Sequence, residues 1–233
     1  MSANNPYQRL YGRAYFEGLH ELNFIGNNAY REAQRLETIE VLCSPDITDE
    51  VLELGCGTGL YTRLLSPRVY RVTGVDFSAT AIEKAIAQGQ RDNIQFVMGD
   101  MQDLSMFPDS AFDKILAIDV LEHLSDSQLR VSLREIVRLL KKDGVFVFFT
   151  PCRSHWIEWL KSRNIMIKQI RGHVGVRSET EYRRIIQDQG LEVTSVLRYE
   201  TCIPILRMAE RILKNIPVIG NFFVSRLGIA VSN

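Results

Sequence analysis

Residues 51–65, VLELGCGTGLYTRLL, constrain this chain more than any other stretch. A short apolar run carries Glu53 near its end, meets a Gly-x-Gly-x-Gly turn, and gives way to a helical pattern. Glycines at 55, 57 and 59 let backbone approach a ligand with no Cβ in the way, and they accept positive φ. A strand feeding such a turn into a helix is the cofactor corner of a doubly wound α/β sheet. Many α/β folds share the turn, so the segments that follow it must narrow the choice.

Residues 71–77, RVTGVDF, read as a second apolar strand with Asp76 at its end. A carboxylate there accepts from both hydroxyls of a ribose diol. The competing use is capping the next helix, which Ser78 can serve instead. Residues 94–101, IQFVMGDM, read as a third strand ending in Asp100 and Met101. A carboxylate there accepts from an adenine amino group, and the next side chain packs on the ring. Residues 112–124, FDKILAIDVLEHL, are a fourth strand running into an acidic-histidine turn. The third glycine comes one residue too early for the Gly-x-Gly-x-x-Gly fingerprint of a dinucleotide-binding dehydrogenase.

The segments ELGCGTG, GVDFS, GDMQDL, FPDSAFD, DVLEHL and LLKKDGVFVFFTP, in this order, resemble the class I S-adenosylmethionine-dependent methyltransferases, above all the small-molecule kind called methyltransferase type 11. The resemblance covers residues 51–151. It implies an α/β fold with a doubly wound, seven-stranded, mostly parallel Rossmann-like sheet, and S-adenosyl-L-methionine as cofactor. It also implies that Glu53, Gly55, Cys56, Gly57 and Gly59 lie near the methionine portion, Asp76 at the ribose, and Asp100 and Met101 at the adenine, with Phe77 and Ile118 among the cofactor contacts.

A chain of 233 residues with 45% hydrophobic content suits one α/β domain over 1–233. Its expected parts are a helical segment (1–45), a cofactor-binding core (50–151) and an acceptor-side region with inserted helices (152–233). Formal net charge is zero, but residues 151–233 hold 13 Lys and Arg against 7 Asp and Glu, whereas residues 1–150 hold 15 against 21. That basic third suits an anionic acceptor, a membrane surface or simply a solvated face. Cysteines 43, 56, 152 and 202 form neither a disulfide framework nor a zinc pattern. The polar start does not read as a signal segment, and no apolar run reaches the ~18 residues that span a bilayer. The expected location is cytoplasmic, with contact at the inner face of the membrane left open.

Tyr7, Tyr11, Tyr15 and Phe16 share one helical face. Residues 28–43 read as a helix with Ala29, Ala33, Leu36, Ile39 and Leu42 as its stripe. In the resembling family such a segment folds over the cofactor as a lid; plain packing on the sheet is the other reading. Capping boxes open at Ser125 and Ser178, and Lys141-Lys142-Asp143-Gly144 reads as a helix C-terminus. Insertions follow at 153–170 and 203–226, and residues 229–233 are a last strand, antiparallel in the resembling fold. In the second insertion Ile205, Leu206, Ala209, Ile212, Leu213 and Ile216 cover one side, and Arg207, Glu210, Arg211, Lys214 and Asn215 the other. This pattern fits a helix lying on a membrane, a cover for a greasy acceptor, or ordinary packing against the sheet.

Methyl transfer from a sulfonium is an in-line displacement, so positioning dominates and no covalent intermediate is needed. A base is required only if the acceptor arrives protonated. The base candidates are His123, His155 and His173; His20 has little context. Each can equally brace a loop. Asp119, Glu122 and His123 would share a face if their turn were helical, and could then hold a divalent ion, as the similarity to ubiquinone-pathway O-methyltransferases suggests. Because DVLEHL-like turns are also common in metal-independent relatives, no metal ligand is assigned. The Asn/Asp-Pro-Pro-aromatic turn of amino-methylating nucleic-acid enzymes is missing, so a nucleic-acid partner is not expected. The expectation is therefore a methyltransferase acting on a small, hydrophobic or lipid-linked acceptor, with O-methylation favoured. The alternative is a cofactor-binding regulatory or scaffold subunit.

Overall fold

A computed structural model describes residues 28–89, 91–165 and 172–232. The aromatic set Tyr7, Tyr11, Tyr15 and Phe16, together with His20, lies outside them. Seven strands form one sheet: β1 (Glu50–Leu54), β2 (Arg71–Asp76), β3 (Ile94–Met98), β4 (Phe112–Ile118), β5 (Leu140–Pro151), β6 (Glu192–Tyr199) and β7 (Arg226–Ser232). Their order is β3-β2-β1-β4-β5-β7-β6. The first five run parallel, and β7 is antiparallel to both β5 and β6. Strand order reverses between β1 and β4, which places a ligand crevice at their carboxyl ends. Since β7 runs the opposite way, its first residue, Arg226, lies at that same edge, paired in register with Pro151 at the end of β5.

Helices cover both faces. On one face α4 (Asp126–Leu139) and α6 (Glu179–Gln187) bury Leu129, Leu133 and Ile136, and Tyr182, Ile185 and Ile186, against Ile115, Phe146 and Phe148. The spacing of three and four in α4 is what turns one stripe inward. Both helices open with the anticipated capping boxes, Ser125 with Gln128 and Ser178 with Glu181, each cap stabilising its helix by about 1 kcal/mol. The other face carries α1 (Asn28–Thr38), continued by a wider turn over Ile39–Cys43, then α2 (Leu60–Leu65) and α3 (Ala79–Ala87). Ile39, Cys43, Tyr61, Leu65, Ile82 and Ala85 pack there on Val51, Val72, Leu116 and Val147.

Two expectations are corrected. The Lys141–Gly144 run does not end a helix: α4 stops at Leu139, Leu140 is already extended, and the run belongs to β5, where Lys141 Nζ meets Asp113 Oδ2 at 2.7 Å. Pairing of β5 with β4 as early as Leu140 and Phe112 overrides the terminator pattern. The apolar stripe read for 28–43 holds only in its second half, where Leu36, Ile39 and Leu42 pack on the core. Ala29 and Ala33 are exposed, while Gln34 and Thr38 are buried. The helix docks by hydrogen bonds, from Gln34 Nε2 to the carbonyl of Glu200 and between Thr38 Oγ1 and the Tyr199 hydroxyl. These satisfy buried polar groups that an apolar stripe would have left orphaned.

Candidate functional site

The glycine turn after β1 holds a conformation few other residues can adopt. Gly55 and Gly59 have φ of 70° and 80°, and a Cβ on them would meet Val120 Cγ2 at 2.4 Å and the Phe96 ring at 2.5 Å. Gly55 and Cys56 donate to the carbonyl of Val75, which ties the turn to the end of β2. Asp76, next in β2, is buried and receives the Gly57 N–H on Oδ2 and the Ser78 N–H on Oδ1, each at 2.9 Å. Burial raises its pKa while those two donors pull it back. A carboxylate has about four acceptor positions, so two remain for a diol at the open end of the strand. Phe77 follows, half-buried, and Ser78 caps α3 by accepting from Ala81 N. The helix cap and the carboxylate are thus different residues, as anticipated.

Glu53 is buried, and its carboxyl takes the Thr62 hydroxyl of α2. Burial pushes it up to about 7. Its contact fixes turn and helix to one another from beneath. Asp100 folds its own loop, accepting from Gln102 N at 2.9 Å. Met101 is buried in the core with Leu104 and Phe112, and Ile118 is buried at the end of β4. The acceptors Asp76 and Asp100 and the donor amides of the turn fit a ribose and an adenine amine. These residues would hold S-adenosylmethionine.

Beyond β4 the helical turn on which a shared face of Asp119, Glu122 and His123 depended starts too late to include Asp119. Asp119 takes φ 54°, a left-handed conformation Asp tolerates, and a short tight turn covers Leu121–His123. Asp119 is therefore directed to α1, where Arg35 Nη2 meets its Oδ2 at 2.6 Å, while Arg226 Nη1 lies 3.6 Å from Oδ1. Burial opposes its charge, but the guanidinium groups of Arg35 and Arg226 win and hold its pKa low. What Glu122 and His123 join instead is His173, with potential ligand atoms of the three within 4.8 Å of one another. His123 Nδ1 lies 3.1 Å from the Gly172 carbonyl, which can only accept, so Nδ1 carries the proton and Nε2 the lone pair. The His173 ring stands edge-on to His123 with centroids 4.9 Å apart. Burial, then the neighbouring His123, lowers its pKa to about 3, so the imidazole is neutral. Two imidazoles and a carboxyl group could accept a proton or ligate a borderline divalent ion.

Burial, with the charge of Asp119 adding, pushes Glu122 up to about 8 from 4.5. Between those values the folded state holds a proton that the unfolded chain releases, so stability falls as pH rises. Glu53 acts in the same direction only up to about 7. From pH 7 to 8 wild-type protein is expected to lose stability, on the order of 1 kcal/mol per pH unit. Glu122→Gln should flatten that slope in urea titrations; an unchanged slope would remove Glu122 as its source.

His155 is the sequence candidate that the geometry sets apart. It is buried; Nδ1 accepts from Ile157 N at 3.3 Å at the start of α5 (Trp156–Ser162), and Nε2 faces Glu210 Oε1 at 3.0 Å. Both nitrogens are engaged, so it braces α5 against α7 (Pro204–Leu213) and is not placed to act as a base. Sequence reading also missed Arg31, Arg35 and Arg226. The i, i+4 pair of arginines on α1 was the available signal for the first two, while Arg226 carried none.

Helix α7 is inside out. Its polar Glu210 is buried, accepting from Trp156 Nε1 and Thr201 N at 2.7 Å, and Arg211 and Lys214 pair with Glu200. Its apolar Ile205, Met208 and Ile212 are 86%, 75% and 72% exposed. Beside it, Trp156, Trp159, Leu160, Leu206, Leu213 and Phe222 line an apolar groove of about 360 Å³. Among the described residues, no helix is long and apolar enough to cross a membrane.

Residues 52–148 match the family described as Methyltransferase domain. That match and the fold support a class I S-adenosylmethionine-dependent methyltransferase domain with S-adenosylmethionine as its cofactor. Nodulation protein S of Azorhizobium caulinodans is 34% identical over 129 residues, which is 53% of this chain and 61% of that protein. A ubiquinone biosynthesis O-methyltransferase of Albidiferax ferrireducens is 29% identical over 58% of this chain and 50% of that protein. The chain thus spans about half the length of the curated relatives it matches. The fold is also that of geranyl diphosphate C-methyltransferase from Streptomyces coelicolor A3(2), solved with Mg²⁺, geranyl diphosphate and S-adenosyl-L-homocysteine (TM-score 0.63, 19% identity, 100% of this chain and 87% of that one).

Proposed function

We propose that this protein transfers a methyl group from S-adenosylmethionine to an oxygen of a small, apolar or lipid-linked acceptor, working at a membrane surface. The observation that carries the reading is the common edge at which the Asp76 carboxylate, the glycine turn and the His123–His173 pair all lie. The cofactor, when bound, supplies an electrophilic methyl group. The chain's own work is to hold the ribose at Asp76, exclude water, and take the acceptor's proton. His123 is the base in this reading, since the Gly172 carbonyl orients its ring through Nδ1 and makes Nε2 the basic nitrogen. His173 is a poor base because burial keeps it neutral down to about pH 3; it positions His123.

The apolar acceptor is supported by the groove between α5 and α7, at the ligand edge of the sheet. The membrane is supported by the outward apolar face of α7. Oxygen as the nucleophilic atom is supported by the likeness to the ubiquinone-pathway relative. The test begins with calorimetry using S-adenosylmethionine and S-adenosylhomocysteine, followed by turnover against hydrophobic phenols and lipid-linked sugars. His123→Gln is expected to lower turnover about 100-fold, with S-adenosylhomocysteine affinity unchanged. Wild-type turnover in that variant would reject His123 as the base. Tight cofactor binding with no turnover on any acceptor would favour the non-catalytic subunit.

A further inference from the structure

Three arginines converge on one end of the acceptor side. Arg31 and Arg35 lie one turn apart on the same face of α1, and Arg226 begins β7 at the ligand edge. Arg35 has its partners in Asp119 and Glu32. Arg226 is less well served. Its side chain is 10% exposed, and among the described residues its buried Nη1 has no hydrogen-bond partner, the nearest carboxylate oxygen being 3.6 Å away on an Asp119 already held by Arg35. Arg31 donates from Nη2 to the thiol sulfur of Cys202 at 3.0 Å, a weak acceptor. Burial and the nearby charge of Arg226 lower the Arg31 pKa, so the two cations oppose one another. Asp119 and Glu32 are both held by Arg35, so neither completes Arg226. A buried, incompletely paired cation is costly to the fold and is best explained by an anion that completes it.

We propose that Arg226, with Arg31 beside it, docks an anionic group, a carboxylate or a phosphate, carried by the methyl acceptor. This rests on the methyltransferase reading and narrows its substrate class to acidic acceptors. The amino-acid carboxylate of the cofactor is the other anion to consider. Arg226 stands on β7, away from β2 and β3, and its charge acts on Glu122 and His173 on the acceptor side. The acceptor is therefore the better match, and the S-adenosylhomocysteine arm of the test tells the two anions apart.

The test uses the full chain saturated with S-adenosylhomocysteine, and octanoate, octyl phosphate and octanol as probes in calorimetry. Both anions are expected to bind at least tenfold more tightly than octanol, and the tighter of the two identifies carboxylate or phosphate. Arg226→Gln should erase that preference, Arg226→Lys should keep part of it, and both should bind S-adenosylhomocysteine within twofold of wild type. Should the Gln variant fail to fold, Arg226→Met serves, and it should melt no lower than wild type without anion because it removes the incompletely paired charge. No preference for the anions in wild type, or the same preference in the variants, overturns the proposal. So does a tenfold loss of S-adenosylhomocysteine affinity in Arg226→Gln, which would assign the arginine to the cofactor. Failure of wild type to bind S-adenosylhomocysteine at all would refute the methyltransferase reading instead.

Discussion

Asp76→Ala is expected to weaken S-adenosylhomocysteine binding by about a thousandfold. The carboxylate has two acceptor positions left after Gly57 N and Ser78 N are satisfied. Two charge-assisted hydrogen bonds to a ribose diol are worth roughly 1.5–3 kcal/mol each, and 1.4 kcal/mol is tenfold in affinity. The substitution also strips an acceptor from each of those two backbone donors, so the turn loosens as the ribose contact goes. Asp76→Asn separates the effects. It keeps the shape and one acceptor oxygen but loses the charge, and should sit between wild type and Ala. Calorimetry gives the affinities, and urea titration shows how much of the loss is the turn itself. Unchanged affinity in the Ala variant would mean that the ribose lies elsewhere.

The cofactor side was readable because its physics is local. A glycine stands at each positive φ of the turn that follows β1, and each acidic residue follows its own apolar run, so chain order alone lines them up. The capping boxes at Ser125 and Ser178 are equally local and equally legible. The acceptor side is assembled by contacts across the chain. His123 meets His173 fifty residues on, and Arg226 meets Asp119 across more than a hundred. No spacing rule encodes such pairs. The turn after β4 misled for a related reason: an i, i+3, i+4 argument presumes helix, and the left-handed Asp119 sends that side chain to Arg35. For α1 and α7, periodicity located the helices but said nothing of which face docks. Buried hydrogen bonds through Gln34, Thr38 and Glu210 helped decide that, leaving Ala29, Ala33, Ile205 and Ile212 of the apolar stripes exposed.

Ile205, Met208 and Ile212 changed together to Glu are expected to lower partitioning onto lipid vesicles by about a thousandfold. Each side chain, on leaving water for the acyl boundary, contributes roughly 1.5–3 kcal/mol, so insertion of all three contributes at least about 4.5 kcal/mol, or three decades in partitioning. The orientation of α7 makes the experiment interpretable. Glu210 is clasped by His155, Trp156 and Thr201, and Glu200 holds Arg211 and Lys214, so the helix is attached by its polar side. Substitutions on the opposite face should leave the melting temperature within a few degrees, because exposed positions away from caps and cores change stability by about 0.5 kcal/mol or less each. A helix packed on the sheet through its apolar stripe would instead unfold. Flotation of vesicles made with and without anionic lipid separates apolar insertion from charge attraction; the triple variant should be lost from both. If wild type fails to float with either, the exposed face of α7 has another occupant and the membrane reading falls. If it floats and the variant floats equally well, contact is made elsewhere, and the groove between α5 and α7 has to be explained by the acceptor alone.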